Sequence, residues 1–327
     1  MEAMDPTGSG SPRPRHQLIL TVTRRCDLRC AYCPTAKDGE PDLTPDDARR
    51  AMALFVDRFG GGDMKIFGGE PMLVPEVTRV AVAEAPPSVA VYLSTNGRNL
   101  DDETLDLLRE HPRATLTLSL DGAARDHDGL RRGAPSHARA LELLPRLLAL
   151  PRFVVTQTIA PSTAVRAAEN FRFLLDLGIR RFNLLPAYFV PWTTGQLSAL
   201  DAAFAAIGDV LRVAWSRGDR LYLRNLFVRA PTPFFNTGMV VDSDRTIHPS
   251  NLILAQAFGD LRARTCLGTL DDPPSREALE VAARAVPALL AEHVPAPIWA
   301  STLAVDQALT TLCNSLYPAY FARRAAA

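Results

Sequence analysis

Three cysteines, Cys26, Cys30 and Cys33, stand within eight positions in the run Arg24-Arg25-Cys26-Asp27-Leu28-Arg29-Cys30-Ala31-Tyr32-Cys33-Pro34. On a loop, intervals of four and three can wrap three thiolates around one face of an iron–sulfur cube. A closed four-iron cluster takes four protein ligands. No fourth cysteine is near, so one iron would be left open for a ligand from solution, much as catalytic zinc keeps an open position. A three-cysteine zinc site completed by a histidine is the alternative. His16 is nearest in sequence but falls at the start of the first strand, away from the loop. Chance packing of thiols fits poorly in a chain whose only other cysteines are Cys266 and Cys313.

Further polar clusters follow at intervals: Gly68-Gly69-Glu70-Pro71, Ser94-Thr95-Asn96-Gly97 and Ser119-Leu120-Asp121-Gly122. Each alone reads as a turn. Glu70 is a charged acceptor beside two glycines that let a backbone approach closely, a combination suited to an ammonium group.

The elements that must position these clusters alternate. Strands are expected at 17–23, 64–67, 89–94, 114–120, 153–159 and 181–185. Helices are expected at 44–59, with Thr44 as N-cap and Pro45 at the first helical position, and at 75–84, 101–110, 136–150 and 163–177. A βα unit repeated about six times implies a parallel sheet with right-handed crossovers. Polar loops close the C-terminal ends of several different strands, which favours a β/α barrel over a sheet with one switch point. The fold class is α/β: a partial (β/α)6 TIM-type barrel over 16–195, preceded by a disordered tail over 1–15. A C-terminal α+β extension over 196–327 would close the barrel or cover its mouth. It should hold a helix to about 215, a strand at 221–228, a Pro-rich turn at 231–233, a hairpin over 238–248 with Asp242-Ser243-Asp244 at its tip, and helices at 276–290 and 299–316.

The chain has 327 residues, 47% of them apolar and 22% charged, as in a soluble globular protein. Its 36 basic and 36 acidic residues cancel, which argues against a general grip on nucleic acid. Only Lys37 and Lys65 are lysines; the other basic residues are arginines. Five cysteines, unevenly spaced, exclude a disulfide framework. No apolar run is long enough for a membrane span, and the first fifteen residues lack the apolar core of a secretory signal. A reducing, cytoplasmic setting is expected.

The spacing of Cys26, Cys30 and Cys33, with an aromatic just before the third, resembles the signature of the radical S-adenosylmethionine (radical SAM) superfamily. The resemblance runs over about residues 18–186 and takes in all three polar clusters in order. It implies one 4Fe-4S cluster on Cys26, Cys30 and Cys33, with S-adenosylmethionine chelating the open iron. An electron from the cluster then cleaves the cofactor to a 5′-deoxyadenosyl radical, which takes a hydrogen atom from substrate. It further implies cofactor contacts at Gly68, Gly69, Glu70, Thr95, Asn96, Ser119 and Asp121, an adenine contact for Tyr32, and softer assignments for Gln157 and Asn183 on the fifth and sixth strands. A low-potential electron donor such as flavodoxin or ferredoxin is implied as a partner.

The motif set is most similar to the branch that holds peptide maturases, with the hairpin at 239–251 resembling the start of a SPASM-type extension. That extension usually carries auxiliary clusters. Here Pro249-Ser250 stands where a cysteine is usual, and Cys266 and Cys313 are too few for a second cluster. The substrate expected is a ribosomally made peptide, modified by crosslinking, epimerisation or a similar reaction, with its leader held by a separate recognition protein or by the C-terminal region. A small metabolite is the alternative substrate, and a non-catalytic zinc-binding or scaffold protein the alternative class. Candidate catalytic groups are Asp121, Tyr188 and Cys266, the last as a hydrogen-atom donor. Arg224, Asn225 and Asn236 could also face substrate, whereas His248 reads as a surface or hairpin histidine and the tryptophans read as packing residues.

Overall fold

The computed structural model describes residues 16–33, 35, 37, 41–227, 237–251, 255 and 259–325. The expected tail, the Pro-rich turn and Asn236 lie outside them. The first strand, β1 (Gln17–Thr23), runs into the cysteine loop, part of which forms the two-residue strand β2 (Arg29–Cys30). Then follow α1 (Pro45–Phe59), β3 (Gly62–Gly68), α2 (Pro75–Ala83), β4 (Val89–Thr95), α3 (Asp102–Glu110) and β5 (Ala114–Ser119). A short helix α4 (Ala124–Leu130) leads into β6 (Arg131–Arg132), and α5 (His137–Leu148), β7 (Phe153–Ile159), α6 (Ala167–Asp176) and β8 (Arg181–Pro186) complete the repeat. The rest comprises α7 (Thr194–Ser216), β9 (Tyr222–Leu223), a 3-10 turn (Arg224–Phe227), β10 (Thr237–Val241), β11 (Thr246–Ser250), α8 (Gly259–Thr265), β12 (Gly268–Thr269), α9 (Arg276–His293) and α10 (Ala296–Ala325).

Six strands, β1, β3, β4, β5, β7 and β8, pair in parallel and in that order. This is the expected partial TIM-type arrangement. α1 starts where the sequence says it must: the Thr44 side chain and Asp47 cap each other across the first turn, and Pro45 needs no amide partner there. Leu18, Leu20, Met64, Ile66, Val91, Leu93, Leu116, Leu118, Val155 and Phe182 pack outward, in the same core as helix residues such as Phe55 and Phe171. The alternate residues face the other, inner side, where Ile19, Val240 and Phe67 form a small cluster of their own.

The described residues of 196–327 do not form a detached cap. β9 adds to β8 at one edge, and the β10–β11 hairpin adds to β1 at the other, β10 running parallel to β1. Thr35 bridges to Ala255, so the same region also flanks the cysteine loop. The strand expected at 221–228 is short, because Asn225 turns its side chain onto the backbone of Leu184, accepting from the amide and donating to the carbonyl. It thus replaces strand pairing with a side-chain amide.

Candidate active site

At the C-terminal ends of the parallel strands the cysteine loop lies between two clamps. The first begins at Gly68 and Gly69. Gly69 donates its amide to the Thr23 carbonyl and Glu70 donates to that of Arg25, each at 2.8 Å. A Cβ on Gly68 would stand 2.1 Å from the Thr23 oxygen, and one on Gly69 2.0 Å from that of Arg25. The close approach that these glycines permit is that of the chain's own β1 exit. Glu70, 1% exposed, accepts from the Met72 amide (3.0 Å), the Thr95 hydroxyl (2.6 Å) and the Asn96 amide (2.7 Å). Asn96 in turn donates its side-chain amide to Asp27 (2.7 Å), which also accepts from Arg98 (2.6 Å) and Asn99 (2.9 Å). Asn96 thus connects Glu70 to the cysteine loop through bonds within the protein, and Thr95 holds Glu70 beside it.

The second clamp comes from β6. β2 and β6 pair antiparallel, Cys30 opposite Arg131. The Arg131 guanidinium forks onto Asp121 with two bonds of 2.8 Å, and both side chains are buried. Asp121 also accepts from the Tyr32 hydroxyl and the Thr158 amide, each at 3.0 Å. Those four bonds use the roughly four acceptor positions of a carboxylate. Asp121, expected as a catalytic or ribose-facing group, is here a buried anchor of the cysteine loop. The Tyr32 ring sits with the Arg131 guanidinium 5.6 Å from its centroid.

Behind the loop, Arg24 forks onto the buried Asp242 at the hairpin tip, and Arg262 pairs with Asp242 and Asp244. The hairpin expected to open a SPASM-like extension without its cluster here anchors the start of the cysteine loop with charge.

The thiols of Cys26, Cys30 and Cys33 are free and part-buried. Burial pushes Cys26 up to about 11, while the Leu28 amide, 3.5 Å from its sulfur, and Lys37 pull the other way. Burial raises Cys30 too. Neutral thiols of this kind become ligands when an iron centre supplies positive charge. Among the described residues no three of His, Cys, Asp and Glu converge tightly enough to hold a single metal ion. Burial raises Glu70 to about 7, against the pull of its three donors. Its unused acceptor position suits a cation. The donor set therefore fits a cluster on the three cysteines and an ammonium-bearing ligand near Glu70.

The remaining expectations fall out by strand parity. Ser119 and Asn183 face inward; Ser119 is without a partner among the described residues, and Asn183 donates to Thr156 (3.3 Å). Gln157 shares the outward parity of Phe153, Val155 and Ile159, and its side chain donates to the Ala167 carbonyl (2.9 Å). Its expected cofactor contact is corrected: Thr156 and Thr158 are the residues of β7 that look inward. Tyr188 is buried under α10, its hydroxyl 3.3 Å from Asp306. Burial raises both groups, Asp306 to about 6. Cys266 is exposed beside β12, the outermost strand, three strands from β1. Neither Tyr188 nor Cys266 reaches the cysteine loop through any hydrogen bond described. His248 lies in the hairpin as expected but is fully buried between Thr246 and Thr265 and not at the surface, and burial lowers it to about 4. Sequence reasoning missed Asp27, Arg98, Arg131 and Asp242. Asp27 inside the cysteine run, Arg98 just after Asn96-Gly97 and Asp242 at the expected hairpin tip stand at places that are usable signals, whereas Arg131 lies in no motif.

The family model described as Radical SAM superfamily matches residues 20–160. Residues 20–160 form a radical SAM domain. Over 120 residues, which is 34% of this chain and 35% of the relative, the chain is 33% identical to a GTP 3′,8-cyclase of Parasynechococcus marenigrum. It is 26% identical to the sporulation killing factor maturation protein SkfB of Bacillus subtilis over 62% of this chain and 50% of that one. The chain thus spans between a third and a half of the length of these curated relatives. Among solved structures, anSMEcpe with bound AdoMet superposes with a TM-score of 0.68 over 82% of this chain and 80% of that one, at 14% identity. That likeness establishes the partial-barrel fold around the radical SAM domain.

Proposed function

We propose that the protein is a radical SAM enzyme acting on a ribosomally synthesised peptide. The observation that carries the reading is the double clamp: Asp27 tied to Asn96 on one side of the three cysteines, and Arg131 tied to Asp121 on the other. It fixes three thiols at the mouth of a parallel sheet and leaves Glu70 facing them with a spare acceptor position. When bound, the cluster and S-adenosylmethionine supply an electron and the 5′-deoxyadenosyl radical. Cys26, Cys30 and Cys33 hold the iron, Glu70 orients the cofactor's ammonium, and Ser119 offers a hydroxyl to its sugar. The two clamps keep this arrangement fixed while the inner face receives substrate.

The peptide is supported by the maturation protein SkfB among the relatives and by anSMEcpe, solved also with bound AdoMet and the Kp18Cys peptide. A small-metabolite substrate is the second reading, favoured by the GTP 3′,8-cyclase match. Anaerobically reconstituted, dithionite-reduced protein should convert S-adenosylmethionine to 5′-deoxyadenosine. Cluster-loaded protein that forms none would overturn the enzyme reading. Transfer of deuterium from a labelled peptide encoded beside the gene into 5′-deoxyadenosine would decide for the peptide, and transfer from a labelled nucleotide for the metabolite.

A further inference from the structure

The inner face of the sheet carries polar side chains for which the clamps have no use. Ile19, Lys65, Tyr92 and Thr115 lie opposite one another in a single row across β1, β3, β4 and β5. Arg224, arriving on the 3-10 turn after β9, sets its guanidinium 4.9 Å from the centroid of the Tyr92 ring. Lys65 and Arg224 lie close enough for the guanidinium to disfavour the ammonium's charge. Neither makes a hydrogen bond or ion pair with a carboxylate among the described residues. One step toward the mouth, the hydroxyls of Thr21 and Thr117, 0% and 5% exposed, have no partner. A buried hydroxyl left unpaired costs about 1–3 kcal/mol, so these two point to an acceptor that arrives from outside.

We propose that this inner face recognises a carboxylate of the substrate, held between Lys65 and Arg224, with the Thr21 and Thr117 hydroxyls lining the same face toward the mouth on strands to either side. The inference rests on the enzyme reading and narrows its substrate to an acidic one. The charges on this face are positive in excess: Lys65, Arg224 and Arg181, whose guanidinium lies 4.6 Å from the centroid of the Tyr222 ring, against Asp63, two residues before Lys65. That excess selects an anion, and Lys65 beside Arg224 offers it one releasable and one fixed charge, which suits a singly charged carboxylate. Lysine suits the place in a chain that otherwise uses arginine almost throughout. A guanidinium stays charged in a dry site, whereas an ammonium can release its proton until an anion enters. Burial, then Arg224, lowers Lys65 to about 7, with Asp63 opposing. Tyr92 is the other titratable group in its row. Carboxylate binding should therefore take up a proton above pH 7, and its affinity should fall as pH rises beyond that point.

The chain's two lysines make the test direct. Full-length, anaerobically reconstituted protein labelled with 13C at the lysine ε-carbon gives two side-chain resonances, and Lys37→Arg assigns them. With N-acetyl-L-glutamate as probe, the Lys65 titration midpoint should rise by about one to three pH units, the effect of an opposite charge at contact distance. N-acetyl-L-glutamine should leave it in place. Arg224→Gln should by itself raise the midpoint of the free protein and weaken N-acetyl-L-glutamate binding about tenfold or more. No response to N-acetyl-L-glutamate, an equal or larger response to inorganic phosphate, or unaltered binding in Arg224→Gln would each overturn the proposal. The readout involves no turnover. Failure to form 5′-deoxyadenosine would leave it standing, and its own failure would leave the enzyme reading standing.

Discussion

The mouth of the sheet and the inner face beneath it use polar side chains in opposite ways. At the mouth, Asp27, Glu70 and Asp121 accept three, three and four hydrogen bonds from the protein itself. On the inner face, Thr21, Thr117, Lys65 and Arg224 have no such partners among the described residues. Buried polar groups in a folded chain are ordinarily paired. Several motif residues of the mouth are tied to the cysteine loop, and the unpaired hydroxyls of Thr21 and Thr117 stand at positions with no motif.

The sharpest break of this comparison is at the cysteines. Replacing any one of Cys26, Cys30 or Cys33 by Ala should abolish the cluster's visible absorbance and 5′-deoxyadenosine formation together. The wild type should return about four irons per chain and the triple variant close to none. Iron near eight, half of it surviving in the triple variant, would place a second cluster outside the mouth.

Next is the second clamp. Arg131→Leu leaves Asp121 buried without its charge partner, and breaking such a pair costs roughly 3–5 kcal/mol. Denaturant unfolding under anaerobic conditions should show that loss, with poor iron retention. The Asp121→Leu/Arg131→Leu double variant should recover most of the stability while still holding iron poorly, because the cysteine loop loses its anchor. Normal iron loading in both variants would show that the clamp is not what positions the cysteines.

Glu70→Gln should spare the cluster and weaken S-adenosylmethionine binding by one to two decades, since a charge-assisted bond contributes about 1.5–3 kcal/mol. The pH dependence gives the sign. Glu70 is raised to about 7, so its carboxylate is available to an ammonium above that pH and is protonated below it. Wild-type affinity should fall between pH 8 and pH 6, and Glu70→Gln should flatten the slope. A slope unchanged in the variant would assign the titration to another group.

The smallest effect belongs to the edge between the two regions. Asn225→Ala frees the Leu184 amide and carbonyl where β8 loses its neighbour, at a cost of about 1 kcal/mol for a typical pair of bonds. Thermal melting should shift by about 2–4 °C. A larger loss would mean that the turn carrying Arg224 holds the sheet edge together.

The sequence alone determined the repeat and the cysteine triplet. Apolar alternation gave the six parallel strands to within two residues at most ends, since period two and period 3.6 are local signals, and Thr44 with Pro45 marked the start of α1. It also placed Cys26, Cys30 and Cys33 on one loop after β1. Only the tertiary structure decided which polar groups remain free. Arg131 reaches Asp121 across ten residues, Asp27 reaches Asn96 across 69, and Asp242 reaches Arg24 across 218. No local pattern encodes such pairs, because each forms only after the strands have set their register. Gln157 shows the same limit on one strand. Its residue type suggests a ligand contact, but a shift of one position along β7 decides whether it meets the cofactor or the helix behind it.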